Sequence, residues 1–197
     1  MIIEGIMLSL DGQEQPHCAP MGPMVDERLE DWLLRPFQTS RTFENLQRHN
    51  HCIFHVTDDA LLVTQLVLGK KPALEFSPLG NPDSNAKGWI LKSACHWYQL
   101  RIDHWDTSQP RSEARAKVVN QGQLRPFWGW NRAKHAVLEA AILSTRFHLL
   151  DREYVTAEFE GLQSAITKTA GPDEKLAWEM LRENLANYNW ESQTESR

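Results

Sequence analysis

Two neighbouring stretches, SACHWYQLRIDHW (93–105) and RSEARAKVVNQ (111–121), constrain this chain more than any other part of it. In the first, Ala94, His96, Tyr98, Leu100 and Ile102 alternate with Cys95, Trp97, Gln99, Arg101 and Asp103. In the second, charged residues alternate with Ala114, Ala116 and Val118. A period of two is the mark of a strand whose faces meet different surroundings. Two long strands joined by a short polar turn predict an antiparallel hairpin within a barrel.

The rest of the first 130 residues fits around that hairpin. MIIEGIMLSL reads as a strand ending at the Asp11–Gly12 turn. PHCAPMGPMVD has prolines and a glycine inside a strand-like run, which predicts an interrupted strand. RLEDWLLRPF is a third strand, and HCIFHVT (51–57) a buried fourth. Between them lies a helix of about two turns from Ser40 to His49. Asp58 is placed to cap a second helix that stops at Gly69. Residues 70–89, dense in Pro, Gly, Asn and Ser, read as a long surface loop with room for a short structured piece.

At Asn131 the pattern changes to three helices. Asn131 caps the first, which presents Ala133, Val137, Ala140, Ser144 and Phe147 on one side. The second carries Val155, Phe159, Leu162 and Ile166 and ends at Gly171. The third begins at Pro172 and places Leu176, Met180, Leu181 and Leu185 together. The expected architecture is α+β: a mainly antiparallel barrel with short helices over 1–130, a helical subdomain over 131–190 packed on it, and a disordered tail, 191–197.

Composition excludes several classes of function. The net charge of −5 offers no basic excess for nucleic acid or an anionic membrane. No apolar run reaches the roughly 20 residues of a membrane span, and the N-terminal stretch has no positively charged leader. The three scattered cysteines predict reduced, buried thiols of a cytoplasmic protein. No Gly-x-Ser-x-Gly elbow, Walker loop or Gly-x-Gly-x-x-Gly occurs. The 8 histidines contain no His-Glu-x-x-His, and no Cys-x-x-Cys accompanies them, so no metal site is expected.

One stretch does suggest a ligand. In RPFQTSRTFENL, Arg35 precedes Thr39, Ser40 and Thr42, which open a helix. A helix N-terminus offers unpaired N–H groups and partial positive charge, and hydroxyls with an Arg fork add donors. This set suits a phosphate monoester; the competing reading is a capped helix beside an incidental arginine. Two weaker clues are APMG (19–22), where Pro20, Met21 and Gly22 bring backbone close to something, and PFWGWNR, whose Asn131 and Arg132 head a helix behind two indoles.

MIIEGI, APMG, RPFQTSRTFENL, HVTDDALLV and NRAKHAVLEAAILSTR, in this order and spacing, resemble the domain-of-unknown-function 447 family. That family is similar to the FMN-binding split barrels of flavin reductases and pyridoxamine-phosphate oxidases. The resemblance implies a six-stranded split barrel and a homodimer with FMN at the protomer interface. It implies that Pro20, Met21 and Gly22 lie along the flavin ring, that Arg35, Thr39, Ser40 and Thr42 take the phosphate, and that Asn45 braces the turn, with Asn131 and Arg132 as further contacts. It further implies a flavin-reductase-type oxidoreductase on a small molecule, pterin-like by the family's association with methanopterin metabolism. The alternatives are a non-catalytic flavin binder or sensor and a haem-binding barrel with a histidine ligand.

Overall fold

The computed structural model describes residues 1–80 and 88–191. They fall into two compact units: 1–57 with 73–127, and 58–72 with 128–191.

The first unit is a curled antiparallel sheet of seven strands in the order β2-β1-β5-β8-β9-β4-β3. The strands are β1 (Gly5–Leu10), β2 (Pro16–Met21), β3 (Met24–Val25), β4 (Asp31–Leu34), β5 (His51–Val56), β8 (His96–Asp106) and β9 (Glu113–Gln123). The expected interrupted strand is β2 and β3, broken at Gly22–Pro23, so the sheet has one strand more than the six the resemblance implied. The residues ahead of β1 join the two edges: Val25 N–H donates to the Met1 carbonyl at 2.8 Å and Ile3 N–H to that of Pro23 at 3.2 Å, with Ile2 opposite Met24. Chain that begins alongside β3 thus continues into β1, alongside β2, and the sheet curls into a half-barrel.

Alternation decides what fills it. Met7, Phe54, Tyr98, Leu100, Ile102, Ala114, Ala116, Trp32 and Leu34 form the inner cluster. Leu8, Leu10, Ile53 and Trp97 point outward and pack with Leu79 and Ile90. Ile90 belongs to the short ladder β6 (Phe76–Pro78) with β7 (Trp89–Leu91), the structured piece expected within 70–89; residues 81–87 of that stretch lie outside the described ones. Burying large apolar side chains stabilises by roughly 1.5–3 kcal/mol each, so both faces of the central strands contribute to the core. Gly5 is obligatory in this packing, because a Cβ there would run into the His55 carbonyl and the Phe54 ring.

Helix α1 (Arg41–His49) is capped by Ser40, whose hydroxyl accepts from Phe43 N–H at 3.2 Å, and ends at Asn50 in the left-handed region. Like the barrel strands, it belongs to the first unit.

The second unit holds α2 (Ala60–Val67), α3 (Arg132–Ser144), α4 (Arg152–Thr169) and α5 (Pro172–Asn187). Its core is Ala60, Ala133, Ala136, Val137, Ala140, Phe147, Val155, Phe159, Ile166, Trp178 and Leu181. The small residues of α3 let α2, α4 and α5 approach its backbone. By contacts, α2, from the middle of the first 130 residues, groups with the later helices. Asp59, not Asp58, caps α2, accepting from Leu62 N–H at 2.8 Å. Asp58 is instead a buried tie within the unit: its carboxylate accepts from Trp128 N–H at 3.2 Å, and its carbonyl from Lys134 Nζ at 2.6 Å. On α5 the buried side is Ala177, Trp178 and Leu181, while Leu176 faces solvent. Of the expected tail only Glu191 is described; 192–197 lie outside.

Candidate functional site

The turn 35–40 is strapped to the far end of the β8–β9 hairpin. Ser112 donates its N–H and its hydroxyl to the Pro36 carbonyl at 3.1 and 2.8 Å. Gln38 donates its amide to the carbonyls of Thr107 and Gln109. Arg111 donates to the Arg35 carbonyl at 3.0 Å and lies 5.1 Å from the centre of the Phe37 ring. These bonds hold the α1 N-terminus in a fixed place before any ligand arrives.

Within that turn the expected phosphate donors differ in availability. The Ser40 hydroxyl is committed, donating to the Phe37 carbonyl at 2.7 Å while it caps the helix. Thr39 is exposed and Thr42 is buried beneath the first turn. Ser40 serves only one of the orphan N–H groups of the first turn, so those of Arg41 and Thr42 point out of the helix end. Arg35, 43% exposed, faces Glu113 at 3.5 Å. A phosphate there must draw Arg35 off the Glu113 carboxylate.

Asn45 does brace the element, in a specific way. Fully buried, it donates to the Ser9 hydroxyl of β1 at 3.0 Å and accepts from Arg48 at 3.5 Å. Around this tie the end of the β1–β2 hairpin collects charge: Arg41 pairs with Asp11 at 3.0 Å, and His49 Nε2 meets the Asp11 carbonyl at 3.2 Å. The backbone N–H of Gln15, joined by that of Gln13 and by Arg41, holds the Asp11 carboxyl below its usual range. Burial, with Arg41 nearby, lowers His17. Sequence reading passed over this group, since its members lie on three segments.

Pro20, Met21 and Gly22 lie elsewhere. Met21 pairs with Gly5, whereas Pro16 pairs with Leu10 beside Asp11. Six residues of extended strand cover about 17 Å along the ladder. The ring contacts and the phosphate contacts implied by the resemblance are therefore at opposite ends of β1 and β2, and a ligand touching both runs the length of the strands. Gly22 is tight for a local reason: a Cβ there would come within 2.5 Å of the Glu4 carboxylate.

Asn131 and Arg132 belong to the second unit. The Asn131 amide is spent on its own helices, accepting from Lys134 N–H and donating to the Thr169 carbonyl, both at 3.1 Å. Arg132 is exposed. On β5, His51 is at the surface and His55 is completely buried. His55 Nε2 accepts from Leu91 N–H at 3.0 Å, which places the proton of the neutral ring on Nδ1. Burial pushes its pKa down to about 4, opposed by the nearby carbonyls of Ile6 and Ile53. Among the described residues no cluster of three or more His, Cys, Asp or Glu could hold a metal ion, and no helix is long and apolar enough to cross a membrane. Cys52 and Cys95 are buried and Cys18 half-buried, and none is in a disulfide; burial pushes the Cys18 thiol up to about 12.

Comparison with known proteins follows the same outline. The N-terminal domain model of the family described as "Protein of unknown function (DUF447)" matches residues 3–125, and its C-terminal domain model matches 131–183. No curated protein matches the sequence. The crystal structure of an FMN-bound DUF447 protein from Methanosarcina mazei is 25% identical and superposes with a TM-score of 0.76, over 93% of this chain and 94% of that one. An FMN-binding protein from Thermus thermophilus with bound 1-cyclohex-2-enone is 11% identical, with a TM-score of 0.50 over 63% and 72% of the two chains. The flavin reductase PheA2 is 12% identical, with a TM-score of 0.51 over 61% and 79%. The last two share the curled antiparallel barrel alone.

Proposed function

We propose, from the premise that this chain belongs to the DUF447 family, that it binds FMN in its split barrel and is a flavin-dependent oxidoreductase of the flavin-reductase type. The observation that carries the reading is the likeness to an FMN-bound family member over 93% of this chain. The α1 end adds a physical reason. The N–H groups of Arg41 and Thr42, the exposed Thr39 and the nearby Arg35 make a place for a dianionic phosphate. The strapped turn means that little order has to be created on binding. Met21 and Gly22 at the other end of the strands then lie along the flavin ring.

A bound flavin supplies the hydride chemistry itself. The chain's task is to grip the phosphate, orient the ring and admit a small substrate, for which a pterin-like molecule is our proposal. The protein is expected to act as a cytoplasmic homodimer whose second copy walls the cleft. The test is the absorbance spectrum and mass of what co-purifies, followed by FMN titration of the stripped protein. Flavin bands with micromolar or tighter FMN binding support the reading; a Soret band, or no flavin affinity, ends it. Oxidation of NAD(P)H by the loaded protein separates an enzyme from a flavin store.

A further inference from the structure

Two indoles of the second unit stand in water. Trp128 and Trp130 are 85% and 87% exposed, more than any other large apolar side chain among the described residues. Neither hangs on a loose tether. Trp128 N–H donates to the Asp58 carboxylate at 3.2 Å, and the Trp130 ring stacks on His135 at 5.1 Å. The residues that follow tie the pair to the C-terminal end of α4: Asn131 donates to the Thr169 carbonyl at 3.1 Å, and Ala133 N–H to the Thr169 hydroxyl at 3.0 Å. An indole can bury up to about 250 Å², so the two expose on the order of 400 Å², half of the roughly 800 Å² that each partner of a stable pair covers. Tryptophan held this way is the usual anchor of a protein contact.

Helix α4 has a free side to match. Val155, Phe159 and Ile166 are its buried residues, whereas Tyr154, Ala157, Glu158, Gly161 and Lys168 are exposed. Gly161 stands in the middle of this 18-residue helix, where glycine weakens the fold. A Cβ there would meet nothing beyond its own helix within 4 Å, so packing within the chain does not call for a glycine. What the missing side chain does allow is the close approach of another helix.

The two ends of α4 differ in charge. Residues 151–160 hold Asp151, Glu153, Glu158 and Glu160 against Arg152 alone, with Tyr154 52% exposed among them. At the other end, 128–135 and 168–175 come together through the Thr169 bonds and the Lys134–Glu174 pair at 3.7 Å. They hold Arg132, Lys134, Lys168 and Lys175 against Asp173 and Glu174. The acidic and basic ends are about 20 Å apart along the helix, beyond a Debye length at physiological salt. One copy therefore cannot neutralise itself.

We infer that the exposed side of α4 is a docking surface for a second copy of this chain, the two α4 helices running antiparallel across a two-fold axis near Gly161. Such a face is self-complementary. The basic, indole-bearing end of each copy meets the acidic, Tyr154-bearing end of the other, and the glycines let the helices close at the centre. Glu158 of one copy comes opposite Lys168 of the other; within one helix the two are about 15 Å apart and cannot pair. The inference gives the proposed homodimer a surface and does not depend on flavin.

The experiment uses the full chain. Sedimentation equilibrium over a range of concentrations gives the dissociation constant of the pair. Trp130→Ala should raise it about 30-fold, as loss of an anchor does. Gly161→Arg brings two like charges together at the axis and should raise it comparably, although arginine is the better helix former and favours the monomer fold. Lys168→Glu should weaken pairing several-fold, and Glu158→Lys added to the same chain should restore it, a rescue that damage confined to the monomer cannot give. Wild-type protein that is monomeric at micromolar concentration overturns the inference, and its co-sedimentation with phosphatidylglycerol vesicles would assign the indoles to a lipid surface instead. A dimer that none of these changes weakens overturns it too. FMN titration of the same samples keeps the readings apart: flavin affinity bears on the function, the dissociation constant on the pairing.

Discussion

Arg35 and His55 show how far single residues can be pressed. Arg35 is the cation that sequence reading put at the α1 turn, and Glu113 competes for it. Losing a charge-assisted hydrogen bond costs about 1.5–3 kcal/mol, so Arg35→Ala should weaken FMN by roughly 10- to 150-fold while riboflavin, lacking the phosphate, changes little. Titrating both ligands into both proteins isolates the phosphate contribution. Equal losses would remove Arg35 from the site. Glu113→Gln should do the reverse and tighten FMN alone. His55 makes a forecast about stability. Its pKa of about 4 lies below the unfolded value of 6.5 because burial penalises the imidazolium. The folded state therefore binds fewer protons between these values, and stability is full above pH 6.5 and lost as pH falls toward 4. A shift of this size is worth about 3 kcal/mol. Urea unfolding at pH 7 and pH 4.5 should show a steeper loss for wild type than for His55→Gln, which keeps an acceptor for Leu91 N–H. The sequence displayed these residues without their partners: nothing near Arg35 names Glu113, and nothing near His55 names Leu91.

At the scale of elements, legibility followed from repetition. The β8–β9 hairpin, β5, α1 and the three later helices each repeat a pattern over several residues, so the chain announces them. The short strands β3, β6 and β7 hold two or three residues and carry no period to read. The bulge at Val119, the one residue between Val118 opposite Leu100 and Asn120 opposite Gln99, was invisible for a different reason: one additional residue shows only against the strand it pairs with. Beyond it Gly122 lies opposite Trp97, where a Cβ would come within 2.8 Å of the indole. Gly122→Ala should therefore overpack this contact and cost roughly 1–3 kcal/mol, which a thermal melt would register. Asn45 is the corresponding device for α1. Asn45→Ala leaves the Ser9 hydroxyl buried without its donor, and about 1–3 kcal/mol should be lost. If α1 holds the phosphate, FMN affinity should fall with it, read by the same titration.

For the whole molecule, the division of the chain matters more than its length. The helical unit is discontinuous, with α2 supplied from the middle of the barrel sequence. Sequence reading put α2 with the barrel because it sits between barrel strands, and distance along the chain was the only guide available. Truncation after Gln123 would strip α2 of α3, α4 and α5, leaving Ala60, Leu61, Val67 and Leu68 without the cluster they pack in. The expected outcome is insoluble protein, checked by expression and light scattering; a soluble, flavin-binding fragment would show that the barrel carries α2 unaided. A homodimer that closes the flavin cleft should bury more than roughly 2,000 Å² in total, and sedimentation at micromolar concentration should show no monomer. The same interleaving bears on synthesis. Translation proceeds at about 5–20 residues per second, so α2 leaves the ribosome several seconds before any residue of α3 exists. For that interval its apolar side has nothing of its own to pack on, while β5 before it and β8 after it must find each other across it and across β6 and β7. The nascent chain therefore passes through a stage in which the barrel is forming around an unfinished helix, and that stage is where a chaperone would find its substrate.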